Sequence, residues 1–110
     1  MNRDKTVLSV ILREISILNE MTADITIKQF LISEKDQRAT IMTLLNIGEK
    51  VKQLSPAFRN KHNEIKWKRI SGLRDIVAHT YFKLDMEDVW NTIKISLPEF
   101  EMQIRKLLNN

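Results

Sequence analysis

The stretch VWNTIKISLPEFEMQIRKLL, residues 89–108, carries apolar side chains at Val89, Trp90, Ile93, Leu97, Phe100, Ile104, Leu107 and Leu108. Spacings of three and four place them on one stripe of a helix, whose face repeats every 3.6 residues. Pro98 interrupts the run. A proline removes a backbone donor and crowds the preceding turn, so the pattern predicts a kink there, and no stop, because the stripe resumes in phase. Asp85, with Asp88 behind it, supplies an N-cap signal ahead of the run.

The same periodicity recurs upstream. Val7, Leu8, Ile11, Leu12, Ile15 and Leu18 mark a first helix, with Asp4 near its start, where the helix dipole favours an anion. A polar stretch, MTADITIK, and a short apolar cluster, Phe30, Leu31 and Ile32, lead to Ser33. Ser33 is the expected cap of a second long helix from about Glu34 to Leu54, with Glu34 and Asp36 in its first turn. Its expected buried face is Ala39, Met42, Leu45, Val51 and Leu54, widened by Ile41, Leu44 and Ile47. Gly48 inside that helix suggests close approach of another backbone. Ser55 and Pro56 stop the helix and suit the start of a short one. After a basic connector, Trp67, Ile70, Leu73 and Val77 fit a third main helix.

Composition agrees. Only 2 Gly and 2 Pro leave little turn chemistry for connecting strands, while 43% hydrophobic and 29% charged residues suit a folded domain. At 110 residues the expectation is one domain, 1–110: all-α, an up-and-down bundle of four main helices with an additional short helix. Cys is absent, which excludes disulfides and thiolate chemistry. No apolar run is long enough for a membrane span, and MNRDKTVLSV lacks a cleavage-site pattern, so a cytoplasmic location is expected. The net charge of +4 is mild and suits RNA or an acidic partner without requiring either.

The densest chemistry lies in RDIVAHTYF, residues 74–82, which holds the only Tyr and one of the 2 His. On a helix Asp75 and His79 are four apart and share a face, so the acid can orient the imidazole, whereas Arg74 and His79 diverge by about 140°. A histidine that moves protons and an arginine that clamps phosphate suit phosphodiester chemistry without a metal, and RNA brings its own nucleophile in the 2′-hydroxyl. Just upstream, RNKHNEIKWKR, residues 59–69, sets Arg59, Lys61, Lys66, Lys68 and Arg69 against the single acid Glu64. Such a flank suits phosphate binding, and Trp67 within it suits base stacking.

Blander readings stand beside these. His79 can be a histidine at a helix C-terminus, Arg74 and Asp75 a surface ion pair, and the basic run a solvated loop. Trp67, Trp90 and Phe100 each lie on an apolar stripe and suit core anchors better than stacking platforms. His62 reads most simply as an exposed loop residue. No carboxylate and His spacing suggests a metal site, and neither glycine belongs to a phosphate loop, so no metal or cofactor is expected.

The chain resembles the HEPN superfamily, helical bundles found in many RNA-cleaving toxins and defence proteins. The likeness rests on R-x4-H-x-Y within RDIVAHTYF, with DQRAT at 36–40, NIGEKVKQLS at 46–55, W-x-x-I-x-G-x-R at 67–74, VW at 89–90 and LP at 97–98. Together these resemble the HepT type. The resemblance implies a dimeric, metal-independent endoribonuclease toxin of a toxin–antitoxin system, with two copies of the motif facing one another. It implies Arg74 and His79 as the catalytic pair, Asp75 as their support, and Tyr81 as the residue that an MntA-like nucleotidyltransferase antitoxin modifies with AMP. Lys66, Lys68 and Arg69 would then bind RNA. Some relatives carry Asn where this chain has Asp75, whose charge can hold the imidazole's tautomer but also sits near the substrate. A different class remains open: a non-catalytic nucleotide- or partner-binding module that docks a nucleotidyltransferase.

Overall fold

The computed structural model describes residues 2–72 and 85–109. Asn2 turns the chain into α1 (Arg3–Thr22) by accepting the Lys5 N–H at 2.8 Å through its side-chain oxygen. The expected stripe is the buried one: Val7 and Leu8 are almost fully covered, and Ile11, Ile15 and Leu18 are at 0% exposure, with Leu12 at the edge of the core.

Thr26 then opens a helix that the sequence expectation did not contain, α2 (Ile27–Ile32). Its signal is a capping box: the Thr26 hydroxyl accepts the Gln29 N–H at 3.2 Å, and the Gln29 side chain accepts the Thr26 N–H at 2.8 Å. One turn and a half is too short to show a period, so the expectation passed over it. α2 buries one residue, Phe30, whose ring lies 5.2 Å from that of Trp90.

Ser33 caps α3 (Glu34–Lys52) as expected, accepting the Asp36 N–H at 3.1 Å. Of the expected α3 face, Ile41, Leu44, Ile47, Val51 and Leu54 are buried, but the edge through Ala39, Met42 and Leu45 is not. Thr40, Ile41, Thr43, Leu44, Ile47, Gly48 and Val51 are buried, while Met42 is 58% exposed and Ala39 and Leu45 are only half-buried. The two threonines explain the error. Their methyl groups fill core positions that a count of apolar residues leaves out, and the Thr43 hydroxyl is satisfied by the Ala39 carbonyl at 2.9 Å.

Ser55 and Pro56 start α4 (Pro56–Lys61), and residues 67–72 are helical and form α5. Asp85 caps α6 (Met86–Asn91) through the Glu87 N–H at 2.9 Å. One π-helical turn, Thr92–Ser96, joins it to α7 (Leu97–Asn109). Where a kink was expected at Pro98, the disturbance sits one turn earlier: the Leu97 N–H reaches back five residues to the Thr92 carbonyl. Pro98 has no N–H to continue an α-helical ladder, and one extra residue in the turn before it re-phases the bonding. Val89, Ile93, Leu97, Phe100 and Ile104 stay buried through this change.

Directions follow from side-chain hydrogen bonds. The Asp4 carboxylate accepts both the N–H and the hydroxyl of Ser55, each at 2.8 Å, so the end of α3 lies at the beginning of α1. At the opposite end the Lys94 ammonium donates to the Thr22 carbonyl at 3.1 Å, and Asn19 donates to Glu101 at 3.3 Å. α3 and α7 therefore both run antiparallel to α1, which packs against each of them. Among the described residues the fold is all-helical, and no helix is long and apolar enough to cross a membrane. This arrangement is consistent with a HEPN-like helical bundle.

Two substitutions test this frame by urea unfolding followed with far-UV circular dichroism. Asp4→Ala leaves two Ser55 donors without their acceptor and is expected to cost about 1–3 kcal/mol. Ile15→Ala, at the centre of the core, is expected to cost about 2–5 kcal/mol.

Candidate functional site

The basic run is folded around one carbonyl. α4 ends at His62, whose N–H bonds back to the Phe58 carbonyl at 3.1 Å. The His62 carbonyl then accepts two donors from the returning chain, the Ile65 N–H at 3.2 Å and the Trp67 indole N–H at 3.0 Å. A tight turn closes the loop, with the Trp67 N–H on the Ile65 carbonyl at 2.9 Å. His62 is not the exposed loop residue expected: its ring packs 4.7 Å from Phe58, and its side chain is 23% exposed.

Trp67 is a core anchor. It is 5% exposed, its ring meets Phe100 edge-on at 5.9 Å, and Phe58 lies 6.1 Å away on another side. Burial of Ile65, Trp67 and Ile70 turns Lys66, Lys68 and Arg69 to the outside, where all three are exposed. The connector is therefore neither a loose loop nor a stacking platform. It is a pinned turn that presents cations.

Two depressions flank this turn. The larger, about 430 Å³, is lined among the described residues by Pro56, Arg59, Asn60, Asn63, Ile65, Lys66, Trp67 and Lys68. Lys66 and Lys68 thus share one concave surface with Arg59 and two asparagines, and among those residues there is no carboxylate. The smaller, about 120 Å³, holds Arg69 and Lys66 together with Glu64 and Glu99. Arg69 is in this way set apart from Lys68 and placed among acids. The sequence expectation named Lys66, Lys68 and Arg69 as one group and missed Asn60 and Asn63, whose spacing to Arg59 on and just beyond α4 was the available signal.

The expected catalytic pair Arg74 and His79, the supporting Asp75 and the modification target Tyr81 lie outside the described residues, as do Leu73 and Val77 of the expected third helix. What the structure places is their immediate approach, since α5 carries Trp67 and Ile70 in the core directly ahead of them.

Comparison with known proteins agrees with the motif. The family model described as Ribonuclease HepT-like matches residues 11–107, which includes both the basic turn and residues 74–82. A protein of Caldanaerobacter subterraneus subsp. tengcongensis with the name "Putative RNase TTE0752" is 36% identical over 108 residues, 98% of this chain and 96% of its own. The "Probable ribonuclease HepT" of Thermococcus cleftensis is 34% identical over 103 residues, 94% of each chain. No solved structure matches. A helical bundle that leads a cationic turn into R-x4-H-x-Y, matched over nearly its whole length, belongs to the HepT-like ribonuclease family.

Proposed function

We propose that the chain is an endoribonuclease toxin that cuts RNA without a metal and is silenced by a nucleotidyltransferase antitoxin. The observation that carries this reading is the family match across residues 11–107, within which Arg74 and His79 hold the motif's positions. The cationic turn immediately before them supports it, because a polyanionic strand needs such a surface next to the reacting groups.

In this reading His79 takes the proton of a 2′-hydroxyl, and the freed oxygen attacks the adjacent phosphorus. Arg74 stabilises the charge that builds on the phosphorane with a forked pair of hydrogen bonds. The 5′-oxygen leaves with a proton returned from His79, giving a 2′,3′-cyclic phosphate and a 5′-hydroxyl. Asp75 holds the imidazole in the tautomer this exchange requires. Two copies of the chain, with their motifs facing, form the cleft, and Lys66 and Lys68 guide the strand toward it, while Arg69 sits among acids on the other side of the turn.

Silencing follows from the phenol. The Tyr81 oxygen attacks the α-phosphorus of ATP in the antitoxin's site, pyrophosphate leaves, and the attached AMP adds bulk and negative charge beside Arg74. That charge competes with the RNA phosphate for the guanidinium.

Purified protein and labelled RNA test the cleavage step. Activity is expected to persist in EDTA, to yield cyclic-phosphate ends, and to fall by about 10²- to 10⁴-fold in His79→Ala or Arg74→Ala. Undiminished cutting by His79→Ala would remove the assignment. For the regulation, co-expression with a nucleotidyltransferase encoded beside this chain is expected to raise its intact mass by whole AMP units. Tyr81→Phe should abolish that gain; an unchanged gain in this variant would refute Tyr81 as the target.

A further inference from the structure

We propose that the larger cleft, between α4 and the start of α5, is a nucleotide subsite that holds one unpaired nucleotide of the RNA strand and reads its base. The proposal rests on the ribonuclease reading above and adds where, and by which groups, the substrate is recognised away from the cut.

Its chemistry is that of a nucleotide. Arg59, Lys66 and Lys68 supply positive charge for a phosphate, and among the lining residues described there is no carboxylate to neutralise them. Pro56, with the small accessible parts of Ile65 and Trp67, gives an apolar wall for a base. Asn60 and Asn63 are exposed, and each side-chain amide offers both donor and acceptor, the combination that a base edge requires. At about 430 Å³ the cleft falls within the range of small-ligand sites, roughly 300–1,000 Å³.

Two further observations favour this occupant. The Arg59 Nε is buried and has no hydrogen-bond partner among the described residues, although a buried charged donor without an acceptor is costly. That atom is closed off from solvent, so the guanidinium must turn toward the cleft before a phosphate oxygen there can serve as its acceptor. Next, the neighbouring depression, where Lys66 and Arg69 meet Glu64 and Glu99, is mixed in charge, so an anion is guided to one side of the turn only. The inward pull on Trp67 also holds the cleft in shape, since its indole N–H is already fixed to the His62 carbonyl.

Chain connectivity fixes the relation to the cut. Lys68 and Arg74 are six residues apart, so their backbones are at most roughly 22 Å apart whatever path joins them. The subsite therefore reads a nucleotide near the scissile bond. A base in a duplex presents its edge inside a groove, whereas a single strand can turn it outward, so unpaired RNA is the substrate this cleft selects.

The test measures binding apart from cutting. A fluorescein-labelled, fully 2′-O-methylated single-stranded oligonucleotide cannot supply the attacking hydroxyl, and its affinity is read by anisotropy over a series of salt concentrations. Lys66→Gln and Lys68→Gln are each expected to weaken binding equally for all four homopolymers and to lower the salt slope by about one. Asn60→Ala and Asn63→Ala are expected to leave that slope unchanged and to flatten the preference among the homopolymers. All four side chains are exposed, so the fold is spared, and circular dichroism checks it. Wild-type affinity and base preference in all four variants would overturn the subsite, even where unmodified RNA is still cut. Displacement of the oligonucleotide by a polyglutamate peptide at equal charge, with no base preference in the parent protein, would overturn it in favour of an acidic protein partner. If instead unmodified RNA is not cut while the oligonucleotide shows the expected pattern, the subsite stands and the cleavage reading fails.

Discussion

The indole of Trp67 is confined to one place, and the basic turn is built outward from that confinement. Its sequence neighbours, Lys66 and Lys68, both require water. Only a backbone that drives the ring inward and the ammonium groups outward satisfies all three, and the His62 carbonyl supplies the hydrogen bond that makes burial of the polar indole edge acceptable. Phe58 from α4 and Phe100 from α7 close on the ring. One aromatic side chain thus ties the short helix, the cationic turn, the start of α5 and the C-terminal helix together.

Behind this turn stands α1, whose apolar stripe at Ile11, Ile15 and Leu18 is fully covered by its partners. Each terminus is held by a side chain from elsewhere in the chain: Asp4 near the first turn binds Ser55, and Lys94 binds the Thr22 carbonyl while its ammonium also lies 4.8 Å from the Trp90 ring centre. An acid at the amino end and a cation at the carboxyl end both complement the helix dipole. The contacts also record the topology, because each is possible only if α3 and α7 run against α1.

Much of this frame was legible in the residues. The stripes of α1 and of the α6 to α7 run, and the caps Ser33, Ser55 and Asp85, appear where spacing and side-chain chemistry put them. The failures have physical causes. α2 is defined by the reciprocal Thr26 and Gln29 hydrogen bonds and has too few turns for a period to show. One edge of the α3 face was misplaced because Thr40 and Thr43 act as core residues, and the π turn is a response to Pro98 that a helical wheel of constant pitch cannot contain. The motif was legible as a mark of the family, whereas Asn60 and Asn63 are seen to share a concave surface with Arg59 only in the folded chain. Of the cations named together, Lys66 and Lys68 share a cleft, and Arg69 is divided from Lys68 by geometry that no linear reading contains.

The clamps on α1 join residues far apart in the chain: Asp4 to Ser55, Thr22 to Lys94, and Asn19 to Glu101, the last spanning 82 positions. A helical protein usually assembles through neighbouring contacts and therefore quickly, but α1 is covered only by partners that lie far along the chain, α3 and α7. During synthesis, α3 covers part of the α1 stripe first, and the rest stays open to solvent until α7 has been made. A chain interrupted before α7 therefore keeps apolar α1 surface exposed, and the distance along the chain between partners, more than the helix content, sets how soon the bundle closes.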